Sequence, residues 1–142
     1  MSPLPGRPLY ILREYNRAVV AKDVDALAEL YTEDAIVYDA WDKWEYRGEE
    51  NRKRIEAWFT SLGSTRDNPQ FFDWHIIESE ETATIHAYVV YINEDENAQR
   101  LRSIRNRVTF GMVKRGDSWK IAHEHTSIPV RSEGFGGIYQ EE

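Results

Sequence analysis

The chain of 142 residues contains no cysteine. That excludes a disulfide framework, thiolate metal ligands and thiol nucleophiles, and it points to a cytoplasmic setting. Long apolar runs are lacking as well. No segment approaches the ~20 residues of a membrane-spanning helix, and the opening stretch has no uninterrupted apolar stretch of a secretory leader, so no membrane association is expected. Positive charge is in deficit: 18 Lys and Arg against 25 Asp and Glu leave a net charge of −7, so binding to a nucleic-acid backbone is not expected. A phosphate-binding loop, a dinucleotide glycine fingerprint and a Gly-x-Ser-x-Gly nucleophile elbow are all missing. Aromatic residues, by contrast, are plentiful at 13%, with five Trp and eight Tyr among 41% hydrophobic residues. A disordered chain is thereby excluded, and one core with a pocket is within reach of this length.

The pattern along the chain predicts helices first and strands after. Pro3, Pro5, Gly6 and Pro8 read as an irregular lead-in. Ile11, Leu12, Tyr15, Ala18 and Val19 fall at helical spacing. Asp23 is placed to cap a second helix with the stripe Val24, Leu27, Leu30 and Tyr31. Ile55, Trp58, Phe59 and Leu62 mark a third helix after Gly48. Ala35 to Asp39 reads as a short strand between the second and third helices. After Pro69 the period becomes two, with Phe72, Trp74 and Ile76 alternating against Asp73 and His75. Thr84–Ile92 is a second strand, and Ile104–Val113 with Ser118–Ile128 forms a hairpin around Gly116-Asp117. This order predicts an α+β fold with helices on one face of an antiparallel sheet. One domain over residues 1–130 is expected, followed by a glycine-rich tail over 131–142 that reads as loose.

Three places carry chemistry. Asp39 ends an apolar strand, where it is either a general base beneath the helices or a turn cap. Tyr15 lies on the apolar stripe of the first helix, as a core residue or a hydroxyl donor facing a pocket. In Trp119-Lys120-Ile121-Ala122-His123-Glu124-His125-Thr126-Ser127, period two puts Trp119, Ile121, His123, His125 and Ser127 on one face, and the large apolar pair makes it the core face. His-x-His is also a metal spacing, but a third ligand from His75 or His86 would be required, and no metal is expected. A two-residue hairpin loop pairs Arg115 with Ser118 and turns Asn106, Val108, Phe110 and Met112 toward the same core face, leaving Arg105 and Arg107 to meet Glu124 outside. Trp41, Trp44 and Tyr46 form either a lid or a plug at the rim.

Several stretches together carry a resemblance: Tyr15 before Ala21-Lys22-Asp23-Val24-Asp25-Ala26-Leu27, then Leu30-Tyr31-Thr32-Glu33-Asp34-Ala35, Tyr46-Arg47-Gly48, Gly116-Asp117-Ser118-Trp119-Lys120-Ile121, and His123 to Pro129. From about Leu9 to Pro129 the chain resembles the NTF2-like superfamily, in particular its SnoaL-like and ketosteroid isomerase-like branches. The resemblance implies a cone in which three N-terminal helices pack on a curved, mainly antiparallel sheet enclosing an apolar pocket. It implies a homodimer through the outer sheet face and a small apolar carbonyl ligand. It also implies an isomerase, dehydratase or cyclase that needs no cofactor, with Asp39 as base, Tyr15 as oxyanion donor and His125 or His123 relaying protons. The expected pocket wall adds Trp41, Trp58, Phe59, Trp74, His75, Val108, Phe110 and Ser127. Val108 stands near the place of the second oxyanion donor of the steroid isomerases and has no proton to give, with His123, His125 or Asn106 as substitutes. The alternative is a non-catalytic ligand-binding or dimerisation module of the same fold.

Overall fold

Helix α1 (Tyr10–Val20) buries Ile11, Leu12, Tyr15, Ala18 and Val19, the stripe that the spacing requires. The computed structural model describes residues 6–140; Pro3 and Pro5 of the lead-in and the last two residues of the tail lie outside them. Helix α2 (Val24–Ala28) is short, and the Asp23 carboxylate caps it by accepting from the Ala26 N–H at 3.0 Å. The expected stripe through Leu30 and Tyr31 is not helical. Leu30 accepts the Ile121 N–H at 2.8 Å and Tyr31 starts strand β1 (Tyr31–Tyr38), so pairing with the last strand captures the chain. A two-residue strand, β2 (Tyr46–Arg47), precedes helix α3 (Glu49–Ser61). Gly48 makes that junction at φ 54°, and its N–H bonds the Ala35 carbonyl.

Four long strands complete the chain: β3 (Arg66–Glu78), β4 (Thr82–Glu94), β5 (Arg100–Arg115) and β6 (Ser118–Ser127). They join β1 and β2 in one six-stranded sheet of order β2-β1-β6-β5-β4-β3, antiparallel except for the parallel β1–β6 pair. The helices cover its concave face. Tyr15, Phe71 and Phe110 meet there, with ring centroids 5.7–6.2 Å apart. Burying a side chain such as Phe110 stabilises the fold by about 1.5–3 kcal/mol. The hairpin register is the predicted one, Arg115 opposite Ser118, and Asn106, Val108, Phe110 and Met112 are buried.

Two bulges overturn expected side-chain directions. In β6, Gly111 pairs His123 while Met112 pairs Ile121, so Ala122 is an extra residue. Beyond it every side chain changes face: Glu124 and Thr126 turn inward, while His123, His125 and Ser127 lie on the outer side. Glu124 therefore does not meet Arg105 and Arg107 outside. Arg105 instead stacks over the Tyr88 ring at 4.4 Å, and Arg107 donates to Ser127 Oγ at 3.1 Å. In β3, Phe72 pairs Tyr88 and His75 pairs His86, so three steps oppose two. Asp73 takes a positive φ of 52° there. Phe71 and Ile76 consequently pack on the core, and Phe72, Trp74 and His75 are exposed.

The glycine-rich tail folds back on the sheet. Val130 bridges Gly137, the Arg105 N–H bonds the Tyr139 carbonyl at 2.8 Å, and the Tyr139 ring stacks parallel to Trp41 at 5.6 Å. Among the described residues, no helix is long and apolar enough to cross a membrane.

Candidate functional site

A cavity of about 700 Å³ opens between α3, the end of β1 and the concave face of β4–β6. Its aromatic wall is Tyr15, Trp41, Tyr46, Trp58 and Tyr91, and its floor is polar, with Asn106, Glu124 and Thr126. The expected apolar pocket is thus a mixed one. Its lining includes four cations, Lys43, Lys53, Arg54 and Arg102, and five acids, Asp39, Asp42, Glu50, Asp67 and Glu124.

Asp39 arrives because Ala35 and Val37 face inward on β1 and the next inward position is 39. Its Oδ1 accepts from Thr126 Oγ1 at 3.2 Å, and its Oδ2 accepts from Arg54 Nη1 at 3.4 Å. Arg54 comes from α3, one helical turn before Trp58, so both face the cavity. Its guanidinium also donates to Asn51 Oδ1 at 3.0 and 2.7 Å and lies 3.9 Å from the Glu124 carboxylate. Burial alone works against the Arg54 charge, but the Glu124, Tyr31 and Asp39 oxygens outweigh it and hold the guanidinium protonated.

Glu124 is 2% exposed. Burial pushes its carboxyl above the usual range, against the opposing pull of Arg54 and of a 2.5 Å hydrogen bond from the Tyr31 hydroxyl. Two carboxyls thus share one guanidinium in different settings, Asp39 at the end of β1 and Glu124 deep on β6.

Tyr15 is fully packed, and its hydroxyl bonds that of Tyr91 at 2.9 Å. Desolvation first, then mutual repulsion and Glu124, raise Tyr15 well above the ordinary phenol value; burial raises Tyr91 too. Both therefore stay protonated. Whichever hydroxyl accepts in this pair keeps its own proton for a third group.

Of the residues singled out in sequence, Asp39, Tyr15, Trp41, Tyr46, Trp58 and Asn106 line the cavity, whereas Trp44, expected at the rim, is exposed and does not. Phe59, Val108 and Phe110 are core residues beneath it. His123 and His125 are not brought in: they flank Tyr38 at 4.8 and 5.4 Å on the outer face, where His123 Nδ1 reaches the Ile36 carbonyl at 2.7 Å. Trp74, His75 and Ser127 are outside as well, and His75 stacks against His86 at 5.1 Å. Among the described residues, no group of three His, Asp or Glu side chains is arranged to hold a metal ion. The sequence reading missed Arg54, Glu124, Thr126, Tyr31 and Tyr91. Arg54 carried a usable signal, one turn before Trp58 on the flank of the α3 stripe. Glu124 and Thr126 carried none without the bulge.

With this geometry in view, comparison with known proteins defines the class. The model of the SnoaL-like domain matches residues 9–131. The chain belongs to the SnoaL-like family. No curated protein matches it in sequence. Among solved structures, an NTF2-like protein of unknown function from Pseudomonas putida superposes with a TM-score of 0.82 at 16% identity, covering 94% of this chain and 92% of that one. Aln2 from a Streptomyces species superposes with 0.72 at 12% identity, covering 89% and 93%. A cystatin-like-fold protein of unknown function from Nostoc punctiforme gives 0.69 at 16%, covering 91% and 96%. At these identities the likeness concerns the fold.

Proposed function

We propose that the protein moves a proton next to the carbonyl of a small, largely apolar ligand, in an isomerisation, dehydration or cyclisation. The observation supporting this is the convergence of a carboxylate, a pair of neutral tyrosine hydroxyls and a buried guanidinium on one cavity. Asp39 takes the proton α to the carbonyl. The hydroxyl left free in the Tyr15–Tyr91 pair donates to the oxygen as it becomes an enolate. Burial, Tyr91 and Glu124 raise Tyr15 and keep it a proton donor, and the Arg54 charge offsets only part of that rise. Asn106, not a histidine, is the polar neighbour available as a further donor.

A generic ketone with acidic α protons, 2-tetralone, tests this through hydrogen–deuterium exchange followed by NMR. The protein should accelerate exchange over buffer, and Asp39→Asn should abolish the acceleration. Tyr15→Phe should lower it roughly 10²–10³-fold, the usual consequence of losing one oxyanion donor. No acceleration by the wild type across a panel of ketones would favour a binding module instead. Two observations support that second reading: Asp39 is already engaged by Arg54, and Val108 is core and donates nothing.

A second copy docked on the outer sheet face is part of the same proposal. Phe72, Ile77 and Tyr88 are exposed on that face and supply apolar surface for such a contact.

A further inference from the structure

One side of the cavity is framed by an interval in the sheet. Strand β6 stops at Ser127, opposite Arg107, so the first part of β5, from Arg100 to Asn106, extends past its neighbour. Ser103 and Ile104 of that stretch line the cavity, and so does Trp41, which follows β1. Left open, the interval would be a gap in the wall bordered by an unpaired strand edge.

The chain after β6 fills it. Residues 129–140 double back as a strap, in which the Ile138 N–H bonds the Pro129 carbonyl at 2.9 Å and the Arg131 N–H bonds the Gly136 carbonyl at 2.8 Å. The returning limb takes the place of β6 on the β5 edge. There the Tyr139 carbonyl accepts the Arg105 N–H at 2.8 Å, and the Gln140 side-chain amide donates to the Ser103 carbonyl. Tyr139 also lays its ring on Trp41, with 5.6 Å between centroids and 5° between planes. The strap therefore meets the cavity rim on both sides of the interval, at β5 and at Trp41.

This strap is well formed but lightly held. It folds closely on itself, since a Cβ at Gly137 would lie 2.6 Å from Ile128 Cδ1 and 3.2 Å from the Tyr139 ring. Yet among the described residues after Ile128 none is buried, and Phe135 is 81% exposed. A segment that buries so little opens locally at a small fraction of the cost of global unfolding. An aromatic stack such as Tyr139 on Trp41 shifts an opening equilibrium by roughly two- to tenfold.

We infer that the strap is a gate: ligand enters and leaves the cavity when Tyr139 lifts off Trp41, and the closed strap retains the ligand. The inference rests on the reading of the cavity as a ligand site and is independent of the proton transfer proposed there.

A gate slows entry and exit alike, whereas a wall residue that touches ligand acts mainly on exit. Stopped-flow tryptophan fluorescence with 2-tetralone separates the two, because Trp41 and Trp58 line the cavity. Tyr139→Ala should raise the association and dissociation rates together by about two- to tenfold. Its Kd should stay within about twofold, since the strap favours neither the free nor the bound state. Tyr139→Phe keeps the stacking ring and should match the wild type. Amide hydrogen exchange needs no probe. The Arg105 amide, bonded to the strap, should be about tenfold or more less protected than those of Ile104 and Asn106, which point the other way toward β4. Unchanged rates in Tyr139→Ala, or faster dissociation with unchanged association, would overturn the gate. So would an Arg105 amide as protected as its two neighbours. Failure of 2-tetralone and every other ketone to bind would instead sink the ligand reading, and the gate with it.

Discussion

Replacing Arg54 by Met removes the guanidinium shared by the buried Glu124 carboxyl and the part-buried Asp39 carboxyl. Arg54 and Glu124 side chains are 10% and 2% exposed, so the charges left behind are not rescued by solvent. Removing one partner of a buried ion pair costs about 3–5 kcal/mol, which for a chain of this size lowers Tm by roughly 10–15 °C. The loss depends on pH, with a sign fixed by Glu124. Burial raises its folded pKa above the ~4.3 of an unfolded glutamate, and Arg54 holds that rise in check. A raised carboxyl contributes stability that is fully present below the unfolded value and declines as pH rises toward the folded one. Without Arg54 the folded value climbs further, so the decline runs deeper. Each added pH unit in that window costs up to about 1.4 kcal/mol. Melting followed by circular dichroism should therefore show a larger loss for Arg54→Met at pH 8 than at pH 5. At pH 8 the double variant Arg54→Met, Glu124→Gln should melt above Arg54→Met alone. Equal losses at both pH values, with no relief in the double variant, would refute the reasoning.

Two further predictions concern the frame around the site. Gly48 has φ 54°, and a Cβ there would sit 3.2 Å from the Glu33 carbonyl, so Gly48→Ala should cost about 1–3 kcal/mol in thermal unfolding. Gly63→Ala, also at positive φ but with nothing within 4 Å, should cost visibly less; equal losses would deny the Glu33 contact any part. For the outer face, sedimentation should give a dimer, with Thr109→Glu giving a monomer of unchanged circular dichroism, because Thr109 lies between His86 and His125 in one row across the sheet. A wild-type monomer would end the idea of a second copy there.

How much of this was legible beforehand differs from element to element. The α1 stripe, the Asp23 cap, the third helix and the Arg115–Ser118 hairpin follow from spacing and turn chemistry, which act over a few residues. Asp39 and Tyr15, which line the cavity, each sit in such a pattern, at the end of an apolar strand and on a helix stripe, while the roles proposed for them come from the family resemblance. Local spacing reads Tyr31 as helical because its partner, Glu124, is 93 positions away. A period-two count turns the two histidines inward, and Ala122 interrupts that count.

The amino-acid sequence by itself determined most of the order of helices and strands and the exclusion of thiol chemistry, since periodicity and composition are local or additive properties. The tertiary structure decided the rest. Bulges at Ala122 and Asp73–Trp74 turned the histidines and Trp74 out and Glu124 and Thr126 in, because a sheet has a period of two and one inserted residue reverses every side chain beyond it. Packing then set Arg54 between Asp39 and Glu124, and Tyr15 against Tyr91, in pairs that are distant in the chain. The cavity's chemistry is that of the groups so assembled: carboxyl, guanidinium, phenol and amide.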